Sequence, residues 1–128
     1  MTPALDGHAT VLLVRDVAES LAWWRDGLGF ETGVYEAEPD HYGYAERDGV
    51  HVHVAACFEP APNSARFPPD MFDLYVWAVD VDAMHAEVVE RGVAEILHGP
   101  VDQAYGLREF RVRDPNGYVV AFGRRLPG

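Results

Sequence analysis

Between residues 14 and 30 the chain reads VRDVAESLAWWRDGLGF, which has the marks of a helix with both of its ends. Asp16 is a preferred N-cap residue, Glu19 lies at the spacing of a capping box, and Gly29 supplies the stop. Trp24 falls on the buried face of this helix. Trp23 lies beside that face, and for Trp23 packing at the helix flank is favoured over a dimer contact. That face is marked by apolar residues at helical spacing: Val17, Leu21, Trp24 and Leu28.

The same pattern returns 64 residues later, which is half of the 128-residue chain. Asp80 opens a second helical segment and Gly92 ends it. The apolar stripe of this segment comprises Val81, Met84, Val88 and Val89. Each helix follows a predicted strand. Residues 11–14 are apolar throughout, as in a strand covered on both faces, whereas residues 72–79 alternate.

Three further strands are predicted after each helix. They cover about residues 30–36, 41–46 and 50–58 in the first half, and 95–100, 107–113 and 118–124 in the second. Tight-turn residues separate the last two strands of each set, at 47–49 and at 113–117. The sequence therefore predicts an α+β fold in which two βαβββ modules follow in tandem, because a lone βαβββ sheet leaves one face uncovered. The open, cleft-bearing sheet would offer a ligand pocket.

The predicted organisation is one domain, residues 1–128. It consists of a first module at 8–58, a connector at 59–70 and a second module at 71–125. The connector holds four of the nine prolines, which predicts a stiff link between the modules.

Composition narrows the function classes. Ten arginines and no lysine exclude Schiff-base chemistry and lysine-dependent phosphate loops, and neither of the two serines lies in a nucleophile elbow. With 21 acidic residues the net charge is −11, which disfavours nucleic acid and anionic membranes as partners. A single cysteine, Cys57, permits no intrachain disulfide. With no apolar leader at the start, a cytoplasmic location is expected.

Residues 14–30 resemble the first helix of the glyoxalase/bleomycin-resistance/dioxygenase superfamily, also called vicinal oxygen chelate proteins. Residues 108–117, REFRVRDPNG, resemble its closing hairpin. With the paired βαβββ order, the resemblance covers nearly the whole chain. It implies a homodimer in which the first module of one chain faces the second module of the other; closure of the cleft within one chain is the open alternative. The superfamily holds both metal-dependent enzymes and metal-free antibiotic binders, so fold alone does not choose between them.

The resemblance also implies four strand positions that carry metal ligands in the enzymes. Here they fall on Ala9, Asp73, Ala121 and on His53, or His51 on the same face. Only Asp73 and one histidine have ligand atoms, whereas a catalytic site usually has three protein ligands. His8 could join them only if the first strand slipped by one residue or bulged, since side chains alternate across a strand.

The resemblance is nearest to the bleomycin-resistance branch, so the leading hypothesis is a non-catalytic protein, without cofactor, that sequesters a cationic aromatic antibiotic. Asp73, Tyr75 and Trp77 would line the cleft as an acid beside two aromatics. The predicted ligand-binding residues are Asp73, Tyr75, Trp77, His53, His51, Glu109, Tyr105 and Phe67. For the histidines and Glu109, an ordinary strand role is an equal alternative.

Two other hypotheses stay open. One is a metal-dependent lyase or dioxygenase that holds one divalent metal ion with His53, Asp73 and His8, the metal acting as a Lewis acid. The other is a ligand sensor or accessory subunit, which would have a specific protein partner. His85 and His98 are expected on the surface in each case.

Overall fold

The computed structural model describes residues 2–128, in which the order strand, helix, three strands occurs twice. This confirms the predicted α+β fold of tandem βαβββ modules. The elements are β1 (Ala9–Val14), α1 (Val17–Leu28), β2 (Glu31–Val34), β3 (Tyr42–Arg47), β4 (Val50–Ala56), β5 (Leu74–Trp77), α2 (Val81–Arg91), β6 (Glu95–Asp102), β7 (Leu107–Arg113) and β8 (Val119–Arg125). A short 3-10 turn, Asn63–Ala65, interrupts the connector.

The strands form two four-stranded sheets with the same topology, β1-β4-β3-β2 and β5-β8-β7-β6. In each sheet the first strand is parallel to the last, and the other neighbours are antiparallel. The register repeats as well. Val11 pairs with His53 in the first sheet, and Tyr75, 64 residues after Val11, pairs with Ala121 in the second. The internal repeat in the sequence is therefore a repeat in three dimensions.

Both helices begin and end where the sequence predicts. The Asp16 carboxylate accepts a hydrogen bond from the Glu19 amide (2.9 Å), and Asp80 does the same for the Ala83 amide (3.0 Å). Gly29 and Gly92 end the helices with left-handed φ angles of 75° and 67°. Such caps each contribute about 1 kcal/mol. Neither of the helices within residues 2–128 is long and apolar enough to cross a membrane.

The helix-facing sides of both sheets share one hydrophobic core. Trp24 is fully buried there, as predicted, and Trp23 is also buried and meets it edge to face at 5.3 Å. Polar contacts also link the two modules. The Tyr118 hydroxyl donates to the Leu13 carbonyl (2.6 Å). Arg47 on β3 forms a two-pronged ion pair with Glu87 on α2, at 2.7 and 2.8 Å.

Several local predictions are wrong. Val89 is half exposed, because α2 turns only a narrow stripe toward its sheet. His85 and His98 are half buried, not superficial. The His85 ring packs 5.2 Å from Phe110, and His98 Nδ1 lies 2.9 Å from the Gly99 carbonyl. β6 is longer than predicted and runs to Asp102 with two register shifts. These features depend on contacts across the sheet that a local pattern does not carry.

Candidate functional site

Each sheet has one side against its helix and one side without a helix, which we call its open face. Side chains of successive strand residues alternate between the two sides, so the open faces follow directly from the register. The first open face presents Val11 and Leu13 from β1, Tyr42 and Tyr44 from β3, and His51 and His53 from β4. The second open face presents Tyr75, Trp77, Glu109, Arg111, Val119 and Ala121.

The first open face is a bare surface. Leu12 and Val14 are buried against the core, whereas Val11 and Leu13 on the other side of β1 are 53% and 47% exposed. This corrects the expectation that β1 is covered on both faces, because within one chain nothing packs over its open side. Tyr44 beside them is 49% exposed. The result is an apolar and aromatic patch of the kind that marks an interaction or ligand surface.

Three side chains on this face, Tyr42, Tyr44 and His53, have close contacts within the sheet. His53 Nδ1 and the Tyr42 hydroxyl lie 2.8 Å apart, at hydrogen-bond distance, with the rings edge to face. Tyr44 lies across β2, where a Cβ built at Gly33 would collide with its ring. His51 stays exposed. Histidine and tyrosine thus add hydrogen-bonding groups to an otherwise apolar surface.

The second open face is filled by its own side chains. Tyr75 crosses β8 above Gly123, and a Cβ built at that glycine would collide with the tyrosine hydroxyl. Val119 and Ala121 are fully buried. Trp77 lies beside Tyr75, with ring centroids 5.0 Å apart, but is 60% exposed. Of the predicted aromatic pair, Trp77 therefore lies at the accessible edge and Tyr75 lies inside.

Glu109 is the centre of a buried polar cluster on this face. Its Oε1 accepts hydrogen bonds from Arg111 (2.8 Å), from the Tyr105 hydroxyl and from the Gln103 amide (3.4 Å). Arg111 also donates a hydrogen bond to the Asp70 carbonyl (2.9 Å). Its guanidinium stacks on the Phe72 ring, 5.1 Å from the ring centroid. Glu109 is fully buried and Arg111 nearly so. The negative charge of Glu109 is thereby balanced by Arg111 of the same chain.

The protonation states agree with this geometry. Burial raises the pKa of Glu109, but hydrogen bonds from Tyr105 and Arg111 outweigh it and hold the pKa below its ordinary value. Burial, followed by the neighbouring Glu109 carboxylate, raises the pKa of Tyr75. The pKa of Tyr105 is raised for the same two reasons. The cluster is therefore an anion held by a cation and neutral phenols.

Asp73 has a structural role that the sequence did not predict. One carboxylate oxygen accepts a hydrogen bond from the Asn63 amide (2.7 Å) and the other from the Val119 amide (2.8 Å). Asp73 thus fastens the 3-10 turn of the connector to β8. Each oxygen therefore has one backbone partner and keeps a further acceptor site, so contact of Asp73 with a ligand stays a prediction.

The structure divides the predicted ligand-binding residues into two groups. Tyr75, Trp77, Glu109 and Tyr105 come together on the second module, whereas His51 and His53 lie on the first. Phe67 is exposed on the connector and His8 is exposed before β1.

The sequence did not predict four residues at or beside these faces: Tyr42, Tyr44 and Arg111, and Phe72, which packs against Arg111. A signal existed for three of them. Tyr42 and Tyr44 alternate along a predicted strand, and Arg111 lies two residues after Glu109 on the same strand face.

The residues at the four family ligand positions do not fit a metal ion. Ala9 and Ala121 offer no ligand atom, and both oxygens of Asp73 accept backbone amides. His53 and Asp73 together supply two ligand side chains, short of the three that catalytic sites use. Across residues 2–128 no group of three or more His, Cys, Asp or Glu side chains is placed to hold a metal.

The tandem βαβββ sheets with open faces define a class of small α+β proteins, and comparison with known families gives the class its name. The family model of the Glyoxalase/Bleomycin resistance protein/Dioxygenase superfamily matches residues 7–122. This chain belongs to that superfamily. The resemblance of residues 14–30 and 108–117 is thereby confirmed.

Solved structures share the fold at low sequence identity. TioX from Micromonospora sp. ML1 is similar with a TM-score of 0.73 and 24% identity, over 94% of this chain and 98% of that one. The bleomycin-binding protein from Streptomyces verticillus, solved in complex with copper(II)-bleomycin, has a TM-score of 0.68 and 24% identity, over 95% and 97%. A superfamily member from Nocardioides has a TM-score of 0.72 and 15% identity, over 100% and 87%. No curated protein matches the sequence.

Proposed function

We propose that this chain is a homodimeric binding protein that sequesters a small aromatic, cationic molecule of the bleomycin type and does not transform it. The ligand would lie between the first open face of one chain and the second open face of the other. The observation that carries the proposal is the bare first open face, where Val11, Leu13 and Tyr44 are about half exposed. A surface of this composition gains free energy when a partner and a ligand cover it.

Aromatic recognition is supplied from both modules. Tyr44 on the first open face and Trp77 on the second are the accessible aromatic rings of the two faces. Large flat rings stack on a planar heteroaromatic group, and tryptophan and tyrosine do so at low cost in conformational entropy. His51 and His53 add polar contacts that fix the orientation of the ligand.

Attraction of a cation rests on the whole charge of the protein. Asp73 and Glu109 are both engaged, one by backbone amides and the other by Arg111. The net charge of −11 nevertheless gives a field that favours a cationic ligand. Because such a field is screened by salt, the rate of ligand association should fall steeply with ionic strength.

The absence of turnover is inferred from the ligand positions. A Lewis-acid mechanism needs several protein ligands around one ion, and the alanines at 9 and 121 remove half of the family set. The bleomycin-binding protein of Streptomyces verticillus shares the fold and motivates the choice of probe.

The proposal is tested by titrating metal-free and copper-loaded bleomycin into the protein while recording tryptophan fluorescence. Trp23 and Trp24 are buried, so quenching would report mainly on Trp77. We expect saturable binding, with Tyr44→Ala weakening it roughly tenfold, the size measured for loss of a stacking or anchor side chain. Leu5→Ala is the matched control, since Leu5 is highly exposed and lies outside both open faces. Equal affinities for Tyr44→Ala and Leu5→Ala, or chemical alteration of the drug, would contradict the proposal.

A further inference from the structure

A cavity of about 350 Å³ lies where the two modules meet and reaches the edge of the second open face at Trp77. Its walls are apolar: Phe30 from the first module, and Val76, Met84 and Phe122 from the second. Val76 and Phe122 occupy helix-facing positions of β5 and β8, so the cavity is on the opposite side of the second sheet from Glu109 and Ala121. Volumes of this size accommodate a substituted aromatic ring.

The polar lining of the cavity is strongly biased in charge. Three carboxylates, Asp48, Asp80 and Glu87, line it together with one guanidinium, Arg47. Arg47, foremost, and Arg91 lower the pKa of Glu87 to about 2, so this acid is charged at every physiological pH. The Asp48 carboxyl at the rim is largely solvent-exposed, and one of its oxygens forms an ion pair with Arg47 Nε at 3.5 Å. One Asp80 oxygen caps the Ala83 amide.

We propose that this cavity is a second ligand site, which binds a small organic cation with an apolar body. The apolar body would lie against Phe30, Met84 and Phe122, and the cationic group would lie at the rim beside Asp48. Of the residues named on the open faces this site includes Trp77 alone, and it goes beyond the proposed function.

A ligand in the cavity would contact residues of both modules. Arg47 and Phe30 come from the first module, and the Arg47–Glu87 ion pair that joins the modules lines the cavity. Trp77 lines the cavity and is also at the accessible edge of the second open face. A bound cation would therefore contact a residue that the proposed function also uses.

The methionines provide a direct readout. The chain has three, of which Met84 lines the cavity, while Met71 lies on the segment that precedes β5. Protein labelled with ¹³C at the methionine methyl groups is titrated with 2-phenylethylamine, with its neutral isostere 2-phenylethanol, and with phenylacetate. We expect a saturable shift of the Met84 signal with an unmoved Met71 signal, and binding of the amine about threefold to tenfold tighter than of the alcohol, as for an ion pair at a partly exposed site.

Two variants and one control locate the binding. Ala83→Leu adds bulk to a cavity-lining position of α2 and should abolish the shift. Ala86→Leu makes the same change at another exposed position of α2 that does not line the cavity, and should leave it intact. Asp48 has a left-handed φ of 51°, which asparagine also tolerates, so Asp48→Asn is a mild change. This substitution should weaken binding of the amine and leave binding of the alcohol unchanged.

The proposal is overturned if amine, alcohol and phenylacetate bind alike, if Met71 and Met84 shift together, or if Ala83→Leu binds the amine as tightly as the parent protein. Its failure is distinguishable from failure of the proposed function. Bleomycin binding is measured on the open faces with Tyr44→Ala, a residue that does not line the cavity.

Discussion

Replacing Arg111 by methionine should destabilise the fold severely, because it leaves a buried carboxylate without its cation. Glu109 is fully buried, and the Arg111 guanidinium lies 2.8 Å from its Oε1. Tyr105 and Gln103 would remain as donors, but neither carries a charge. Removal of one partner from a buried ion pair costs about 3–5 kcal/mol, whereas an exposed pair contributes at most about 1 kcal/mol.

Arg113→Met is the matched control for this experiment. Arg113 lies two residues along the same strand and pairs with Glu95 at 2.7 Å, but that pair is open to solvent. Urea unfolding at pH 7 should give a loss of about 3 kcal/mol or more for Arg111→Met and less than about 1 kcal/mol for Arg113→Met. The double variant Glu109→Leu, Arg111→Met should recover most of the loss, because no buried charge then remains.

A pH series adds an independent check. The folded-state pKa of Glu109 is below its ordinary value, so in the parent protein its contribution to stability is present at neutral pH and is lost as the pH falls. Without Arg111 the pKa of Glu109 should rise, and the deficit of Arg111→Met should shrink as the solution becomes acidic. Similar losses for Arg111→Met and Arg113→Met at pH 7 would refute the claim that removal of Arg111 leaves a buried, unpaired carboxylate.

Three further changes test other parts of the structure. Burial raises the pKa of Asp114 to about 6, so the free energy of unfolding should fall by up to about 3 kcal/mol as the pH rises from about 4 to about 6. Thermal unfolding of Asp114→Asn should lack this fall. Gly123→Ala should displace Tyr75 and cost about 1–3 kcal/mol in urea unfolding, whereas Gly99→Ala meets only ordinary contacts and should cost less. Asp73→Ala should cost about 1–3 kcal/mol yet leave bleomycin affinity within twofold by fluorescence titration; a large loss of affinity would restore Asp73 as a ligand contact.

Local signals predicted the framework of the fold well. The caps at Asp16 and Asp80 and the glycine stops each depend on residues within one helical turn, and the structure has them as predicted. The repeat at a spacing of 64 residues predicted the paired modules, because each module is a complete supersecondary unit.

The candidate site was less predictable, for a physical reason. Asp73 looked like a free acid because its partners are 10 and 46 residues away, at Asn63 and Val119. Glu109 looked available to a ligand because strand alternation predicts the face on which its side chain lies but not the side chains that it contacts there. The exposed side of β1 was expected to be covered because an all-apolar strand usually is. The exposure of Val11 and Leu13 follows from how the two sheets are arranged in the chain, which local periodicity does not encode.

The most direct test of the central claim is native mass spectrometry of the protein incubated with bleomycin. The account predicts a dimer that carries up to two drug molecules, one for each pair of facing open faces, with the mass of the released drug unchanged. A monomer with no bound drug, or a drug of altered mass, would contradict binding without turnover at a site shared by two chains.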